Sequence, residues 1–421
     1  MRFLYSVVVY LLRPFAFAVV LWRGVRNRGY WEGLRERFGF ATPGRRPIWV
    51  HAVSLGEVTA AAAVIRALQI RHPQFPVVLT TATPTGRARA QALFGGRVAV
   101  RYVPYDTPGS MRRFVKRIEP RVVIIMETEL WPNLYHQCRR RGIPVILASA
   151  RLSQTSVVRY RRFGALFREV FAGNTLVAAQ SAEDAARFAA IGSDPARTRV
   201  VGNVKFDVGL DAGSAQRGLE LRSAWSARPA WIAGSTHAGE EELVLTAHAA
   251  LEAQLAGALL LLVPRHPERF AAVADLLSRR GFRYERRSRP DPATAGMLPR
   301  QTQVLLVDTV GELAALYAAV DVAFVGGSLV PVGGHNLLEP AARGVPVITG
   351  PYQANGREIA QRLFEQGGAV QVADAGELAD ALQRLFADPQ RRLEVGASAR
   401  RVVDANRGSV ERLLEVIEPF L

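Results

Sequence analysis

Residues 321–350 read DVAFVGGSLVPVGGHNLLEPAARGVPVITG, and this stretch decides the fold. Val322 to Val325 is a short apolar run suited to a buried parallel strand. Gly326, Gly327, Gly333 and Gly334 then allow positive φ and close approach of the backbone to a ligand. His335, Asn336, Leu337, Leu338 and Glu339 follow, where a helix should begin ahead of Pro340. Val345 to Ile348 reads as the next strand. Backbone N–H groups at such a helix start favour phosphate, and a glutamate just inside it can accept hydrogen bonds from a ribose diol. Phosphate and sugar recognition side by side suggest a nucleotide-sugar donor. An ordinary glycine-rich turn between strand and helix is the plainer alternative.

The same alternation extends outward in both directions. Strands are expected at 48–52, 77–81, 98–102, 122–126, 145–148 and 176–179, and again at 231–233, 259–263, 304–307, 322–325, 345–348 and 369–372. Helical patterns lie between them, which predicts an α/β fold of two Rossmann-like lobes. A polar Gly/Ser/Ala-rich stretch at 208–229 reads as the linker. The expected division is therefore a helix over 1–25, a first lobe over 26–207, a second lobe over 230–390, and a helical segment over 391–421 able to pack back on the first lobe. Two such lobes place a ligand cleft at the carboxyl ends of both sheets.

Composition narrows the chemistry. The 421 residues carry a net charge of +17, which favours anionic partners. Nearly all the basic residues are arginine; Lys116 and Lys205 are the only lysines. The single cysteine, Cys138, allows no intrachain disulfide and fits a reducing compartment. The seven histidines are scattered along the chain and form no metal-binding signature, so no metal or cofactor is expected.

The first 22 residues, MRFLYSVVVYLLRPFAFAVVLW, amount to about one bilayer thickness of apolar helix, interrupted by Arg13 and Pro14. Arginines follow at once at 23, 26, 28, 35 and 37. Basic residues after the apolar run predict a cytoplasmic body. Arg13 would be costly in a full span, so both a spanning and an interfacial helix stay open.

Several motifs fall just after expected strands. In WVHAVSLGEVTA, Glu57 stands at a helix start facing the expected cleft. It suits a general base, and equally a capping residue of the first turn. In VVIIMETELWPNL, Glu127 and Glu129 follow a buried strand directly; one can orient a substrate, stabilise charge or brace a neighbouring base. In GNVKFD, Lys205 can meet a carboxylate or phosphate. In GSTHAGEEE, Ser235, Thr236 and the first N–H groups of the next helix suggest a second anion cradle. In LVPRHPERF, Arg265 and His266 suit a phosphate and a cytosine ring or ribose. In VDTVGEL, the backbone at Val310, Gly311 and Glu312 can contact a base or phosphate.

Together, HAVSLGE, ETELWPN, GNVKFD, GSTHAGEEE, PRHPERF and GGSLVPVGGHNLLEPA resemble the 3-deoxy-D-manno-octulosonic acid (Kdo) transferase family, in family order and spacing, from the N-terminal helix to about Val372. The resemblance implies a GT-B fold and a place on the cytoplasmic face of the Gram-negative inner membrane, held by one N-terminal anchor. It implies transfer of Kdo from CMP-Kdo to a lipid A precursor, lipid IVA, with inversion at the anomeric carbon and without metal. Carried over by motif, Glu57 is similar to the general base, and Glu127 and Lys205 to residues that stabilise the transition state. Arg265–His266, Val310–Glu312 and Asn336–Glu339 resemble the CMP-contacting segments. An acidic sugar, a phosphate and a phosphorylated lipid all suit a basic enzyme, and nucleic acid is not an expected partner. Transfer from another nucleotide sugar, a sugar-nucleotide epimerase, and a non-catalytic, membrane-tethered basic protein are the competing readings.

Overall fold

The computed structural model describes residues 1–42, 46–207, 212–225, 228–289 and 297–421. It divides into two compact units, Met1–Asp207 with Asn406–Leu421, and Val208–Ala405. Each unit holds one seven-stranded, all-parallel sheet. This is the GT-B type of α/β architecture.

In the first unit the strands are β1 (Ile48–His51), β2 (Val77–Thr81), β3 (Ala99–Tyr102), β4 (Val122–Met126), β5 (Val145–Ala150), β6 (Thr175–Ala179) and β7 (Thr198–Val200), in the order β3-β2-β1-β4-β5-β6-β7. In the second they are β8 (Ala230–Thr236), β9 (Leu259–Pro264), β10 (Tyr284–Arg286), β11 (Val304–Leu306), β12 (Val322–Val325), β13 (Val347–Thr349) and β14 (Ala369–Gln371), in the order β10-β11-β9-β8-β12-β13-β14. The twelve expected strands all form. The other two, β7 and β10, are edge strands of three residues, none of them buried. An edge strand has no need of a continuous apolar run, so periodicity does not reveal it.

Both faces of each sheet are covered, which is why the central strands read as unbroken apolar runs. Within them the side chains still alternate. Ile48 and Val50 enter one apolar cluster and Trp49 the other. In the second sheet Trp231 and Ala233 point one way and Ile232 the other.

The helices used below are α1 (Arg2–Arg26), α2 (Leu55–Arg71), α3 (Ala212–Ala224), α4 (Glu240–Gln254), α5 (Leu338–Ala342), α6 (Pro389–Asn406) and α7 (Ser409–Ile417). The structure departs from the expected linker, because α3 occupies most of it; residues 208–211 and 226–227 lie outside the described residues. Gly218, Leu221 and Trp225 fall at i, i+3 and i+7, on one helix face. Leu221 and Trp225 are buried in the second unit, and Arg222 donates to both carboxylate oxygens of Asp321. A Cβ at Gly218 would lie 2.5 Å from the Ala318 side chain, so the glycine is what lets the helix approach. At the other end, α6 is buried along Val395, Ala399 and Val403, and only from Asn406 does the chain rejoin the first unit.

Candidate active site

In the first unit the polar residues converge at the carboxyl ends of β1, β4 and β5. Ser54 caps α2, accepting from Glu57 N–H at 3.4 Å, and Glu57 reaches back. Its carboxylate accepts from Val53 N–H at 2.8 Å and from the Ser54 hydroxyl at 3.0 Å. This reciprocal arrangement is a capping box, moved one residue outward. The residue expected as a general base is therefore also the cap of its helix. Burial pushes the Glu57 pKa up to about 7, against the pull of the Val53 N–H and aided by the charges of Glu127 and Glu129. A carboxylate near 7 is matched to taking a proton at neutral pH.

Glu127 follows β4 with φ of 57°, a left-handed conformation unfavourable for a side chain of this size. Its carboxylate accepts from Lys205 Nζ at 2.7 Å and from Arg151 Nε at 2.9 Å. Burial alone would raise its pKa; the two cations outweigh burial and hold it below the ordinary glutamate range. Arg151 was not singled out from the sequence, although a charge placed directly after a buried strand was the available signal.

Lys205 sits in a short turn between Val204 and Phe206, both buried, which fixes the ammonium toward Glu127. Ser149, also left-handed at φ 50°, ties that turn to β5 through a 3.4 Å bond from Val204 N–H. Glu129 accepts from Trp131 Nε1 at 2.6 Å, and the Trp131 ring meets His51 of β1 edge-on at 5.0 Å. Burial raises the Glu129 pKa as well. Asp207, last residue of GNVKFD, is structural: it accepts from Gly408 and Val410 N–H at the start of α7.

In the second unit the N–H groups of Gly327, Ser328 and Leu329 all donate to the carboxylate of Glu240, at 2.7, 3.0 and 2.9 Å. His237 N–H donates to it too, at 3.2 Å. Glu240 is wholly buried and gathers the donors of this loop. A Cβ at Gly326 would lie 2.7 Å from Glu240 Oε2, so the close approach this glycine permits is to a carboxylate of the protein. In GSTHAGEEE, Thr236 is fully buried and donates to Glu241 at 3.2 Å, and Ser235 is buried with φ of 61°. Burial pushes Glu241 up to about 7 despite its contact with Arg269 at 3.1 Å.

Three histidines that are far apart in sequence meet in the second unit. His237 and His335 stack with centroids 5.1 Å apart and Nε2 atoms 2.8 Å apart, and His266 meets His237 edge-on at 5.2 Å. Burial pushes His335 down to about 4, and the charges of its neighbours, Arg265 among them, add to the shift. His335 is therefore neutral at pH 7, able to donate or accept one hydrogen bond at each nitrogen. Among the described residues no three His, Cys, Asp or Glu side chains are grouped to hold a metal ion.

Around this trio, Arg265 and His266 are exposed after β9. Asn336 is exposed; its Oδ1 accepts from Leu338 N–H at 3.1 Å and its Nδ2 donates to Glu339 at 3.1 Å. Leu337 and Leu338 are buried, leaving only backbone for a ligand. Val310 is exposed and Gly311 has φ of 95°, with no atom near its Cβ position. Glu312 is engaged by Arg287 at 3.2 Å.

Residues 32–208 match the family described as 3-deoxy-D-manno-octulosonic-acid transferase (kdotransferase), and residues 285–402 match glycosyl transferases group 1. The 3-deoxy-D-manno-octulosonic acid transferase of Haemophilus influenzae is 41% identical over 100% of this chain and 99% of its own. The enzyme of that name from Bordetella pertussis is 40% identical over 97% and 98%. Among solved structures, the UDP-GlcNAc 2-epimerase of Neisseria meningitidis bound to UDP-GlcNAc aligns with a TM-score of 0.56 at 12% identity, covering 88% of this chain and 100% of that one. At that identity the likeness speaks for the fold alone. Full-length identity near 40%, on a chain whose motif residues gather at the strand ends, settles the family: this chain belongs to the 3-deoxy-D-manno-octulosonic acid transferases.

Proposed function

We propose that this chain transfers Kdo from CMP-Kdo to a lipid A precursor in lipopolysaccharide biosynthesis, by a metal-independent, inverting displacement with Glu57 as general base. The acceptor hydroxyl oxygen forms a bond to the anomeric carbon of Kdo. Its proton passes to Glu57, and the bond from that carbon to the CMP phosphate oxygen breaks. CMP leaves as a phosphate monoester that needs little acid assistance; hydrogen-bond donors on the second unit can stabilise its charge. Arg265, His266 and Asn336 are the side chains assigned to that task. Glu339 is assigned to the ribose, and Val310–Glu312 contact the nucleotide through backbone. Lys205, braced by Glu127, is assigned to the carboxylate of Kdo or the charge developing in the transition state.

The observation that carries the reading is the contrast between two neighbouring glutamates. Glu57 is held near neutrality by burial, while Glu127 is held ionised by two cations. Two acids whose environments push their pKa values apart have different work to do.

The test is mass spectrometry of the product from purified protein, lipid precursor and freshly generated CMP-Kdo, with and without a chelator, and with the anomeric configuration read by NMR. The expected result is a precursor heavier by Kdo, inverted, with free CMP, unaffected by the chelator. Product only from a UDP-sugar would refute the donor assignment. Retained configuration would refute direct displacement, and chelator-sensitive turnover rescued by added metal would refute metal independence.

A further inference from the structure

Helix α1 is, among the described residues, the one helix long and apolar enough to cross a bilayer, with a mean hydropathy of 2.0 over its best window. Its contacts say how it is used. The residues not fully exposed recur at 2, 5, 6, 9, 13, 16, 17, 19, 20 and 24, one stripe running the whole length of the helix. The stripe is docked on the first unit. Arg2 pairs with Glu169 at 3.0 Å, Tyr5 donates to Asp106 at 2.9 Å, and Ser6 donates to Asn133 at 3.0 Å. The Arg13 guanidinium lies over the rings of Tyr10 and Phe38, and Phe17 meets Phe38 at 5.3 Å. At the far end Trp31 donates to the Leu21 carbonyl at 3.1 Å and its ring lies on Gly24, where a Cβ would fall 1.8 Å from the indole nitrogen.

These contacts are incompatible with a span. Twenty-five residues at ~1.5 Å each extend about 37 Å, and the hydrocarbon core is about 30 Å thick. A crossing helix with one end at the body carries its other end to the opposite surface. Here residue 2 and residue 24 both touch the same unit. The opposite face is bare: Phe3, Leu4, Leu11, Phe15 and Trp22 are 81%, 60%, 74%, 72% and 62% exposed. Arginines edge its carboxyl end, with Arg26 over the Trp22 ring and Arg35 over Phe40. An apolar face bordered by arginine and aromatic side chains is complementary to the headgroup and upper acyl region of an anionic leaflet.

We propose that α1 lies along the membrane surface, inner face docked on the first unit and outer face in one leaflet, with both helix ends on the side of the protein body. Arg13, costly in a span, then keeps its ring partners and never enters hydrocarbon. The proposal is independent of the sugar transferred.

The decisive experiment uses the full chain with a protease site added before Met1, bound to sealed phosphatidylethanolamine/phosphatidylglycerol vesicles with the body outside. External protease should cleave the site as completely without detergent as with it. Protection that only detergent relieves would overturn the proposal in favour of a span. A second arm replaces Phe3, Leu11, Phe15 and Trp22 together by Gln. Partition into these vesicles should fall by at least about 100-fold, with the thermal midpoint unchanged, because the docked face is untouched. Parent protein should also bind neutral phosphatidylcholine vesicles at least about 10-fold more weakly. Undiminished partition of the quadruple variant, or indifference to lipid charge, would refute the assignment of this face.

Discussion

Glu57 caps its helix and is also the proposed general base, two roles that a sequence reading sets against each other. Its carboxylate closes a capping box on Val53 and Ser54, and the burial this entails lifts its pKa to about 7. Turnover should therefore decline as pH falls below about 7 and the base becomes protonated. Glu57→Gln should lower turnover by ~10²–10⁴-fold while leaving CMP affinity intact, checked by steady-state kinetics and calorimetry. Near-full turnover in that variant, with loss in Glu127→Gln, would move the base to Glu127. Stability follows with a definite sign. The folded pKa lies above the ordinary 4.5, so Glu57 costs stability progressively as pH rises from about 4.5 to about 7. The Gln variant should lose that slope, visible as a smaller drop in melting temperature between pH 5 and pH 8. Lys205 acts from the other side. Lys205→Met leaves Glu127 with Arg151 as its remaining cation, and turnover should fall by roughly 10²–10³-fold, the loss typical of one removed electrostatic stabiliser.

Among the elements, loops are fixed by buried carboxylates more than by glycines alone. Glu240 gathers three N–H groups of the 327–329 loop and so positions the loop that leads on to His335 and Asn336. Glu240→Gln presents an amide N–H₂ where donors converge. It should cost about 1–3 kcal/mol in urea denaturation and weaken CMP binding, because the donor loop loses its anchor. Asp207 plays the same part in the first unit, where it takes the first free N–H groups of α7. Asp207→Ala should destabilise that unit by ~0.5–2 kcal/mol, the ordinary worth of a helix cap. α3 shows why propensity misleads at this scale. Its Gly and Ser residues argue for a linker, but the Gly218, Leu221, Trp225 stripe buries well enough to outweigh them.

For the whole molecule, charge and division of labour matter most. The first unit holds the residues proposed for acid–base work and the second the exposed polar groups assigned to CMP. Arg265→Ala and Glu339→Ala should each weaken CMP binding by about 1–3 kcal/mol by calorimetry, with turnover at saturating donor much less affected than in Glu57→Gln. Unchanged affinity in both would place the nucleotide elsewhere. The net charge of +17 gives association with an anionic donor and lipid a steep dependence on salt, which no single residue determines.

Buried parallel strands must be apolar on both faces, so Ile48–His51, Val122–Met126 and Val322–Val325 announced themselves in the sequence, and the motif residues after them could be named in order. Glu57 and Glu127 could be singled out for that reason, whereas Lys205 follows the edge strand β7 and was singled out only by its motif. What they touch was not legible. That Arg151 joins Glu127, that Glu240 gathers the N–H groups of the 327–329 loop, and that His237, His266 and His335 form one cluster all depend on which strand ends lie side by side. Edge strands β7 and β10 and the docking of α1 belong to the same class. Local sequence fixes which residues are apolar and where the chain turns. Hydrogen-bond partners, and the pKa values that follow from them, arise between segments separated by tens of residues, and only the tertiary fold brings those together.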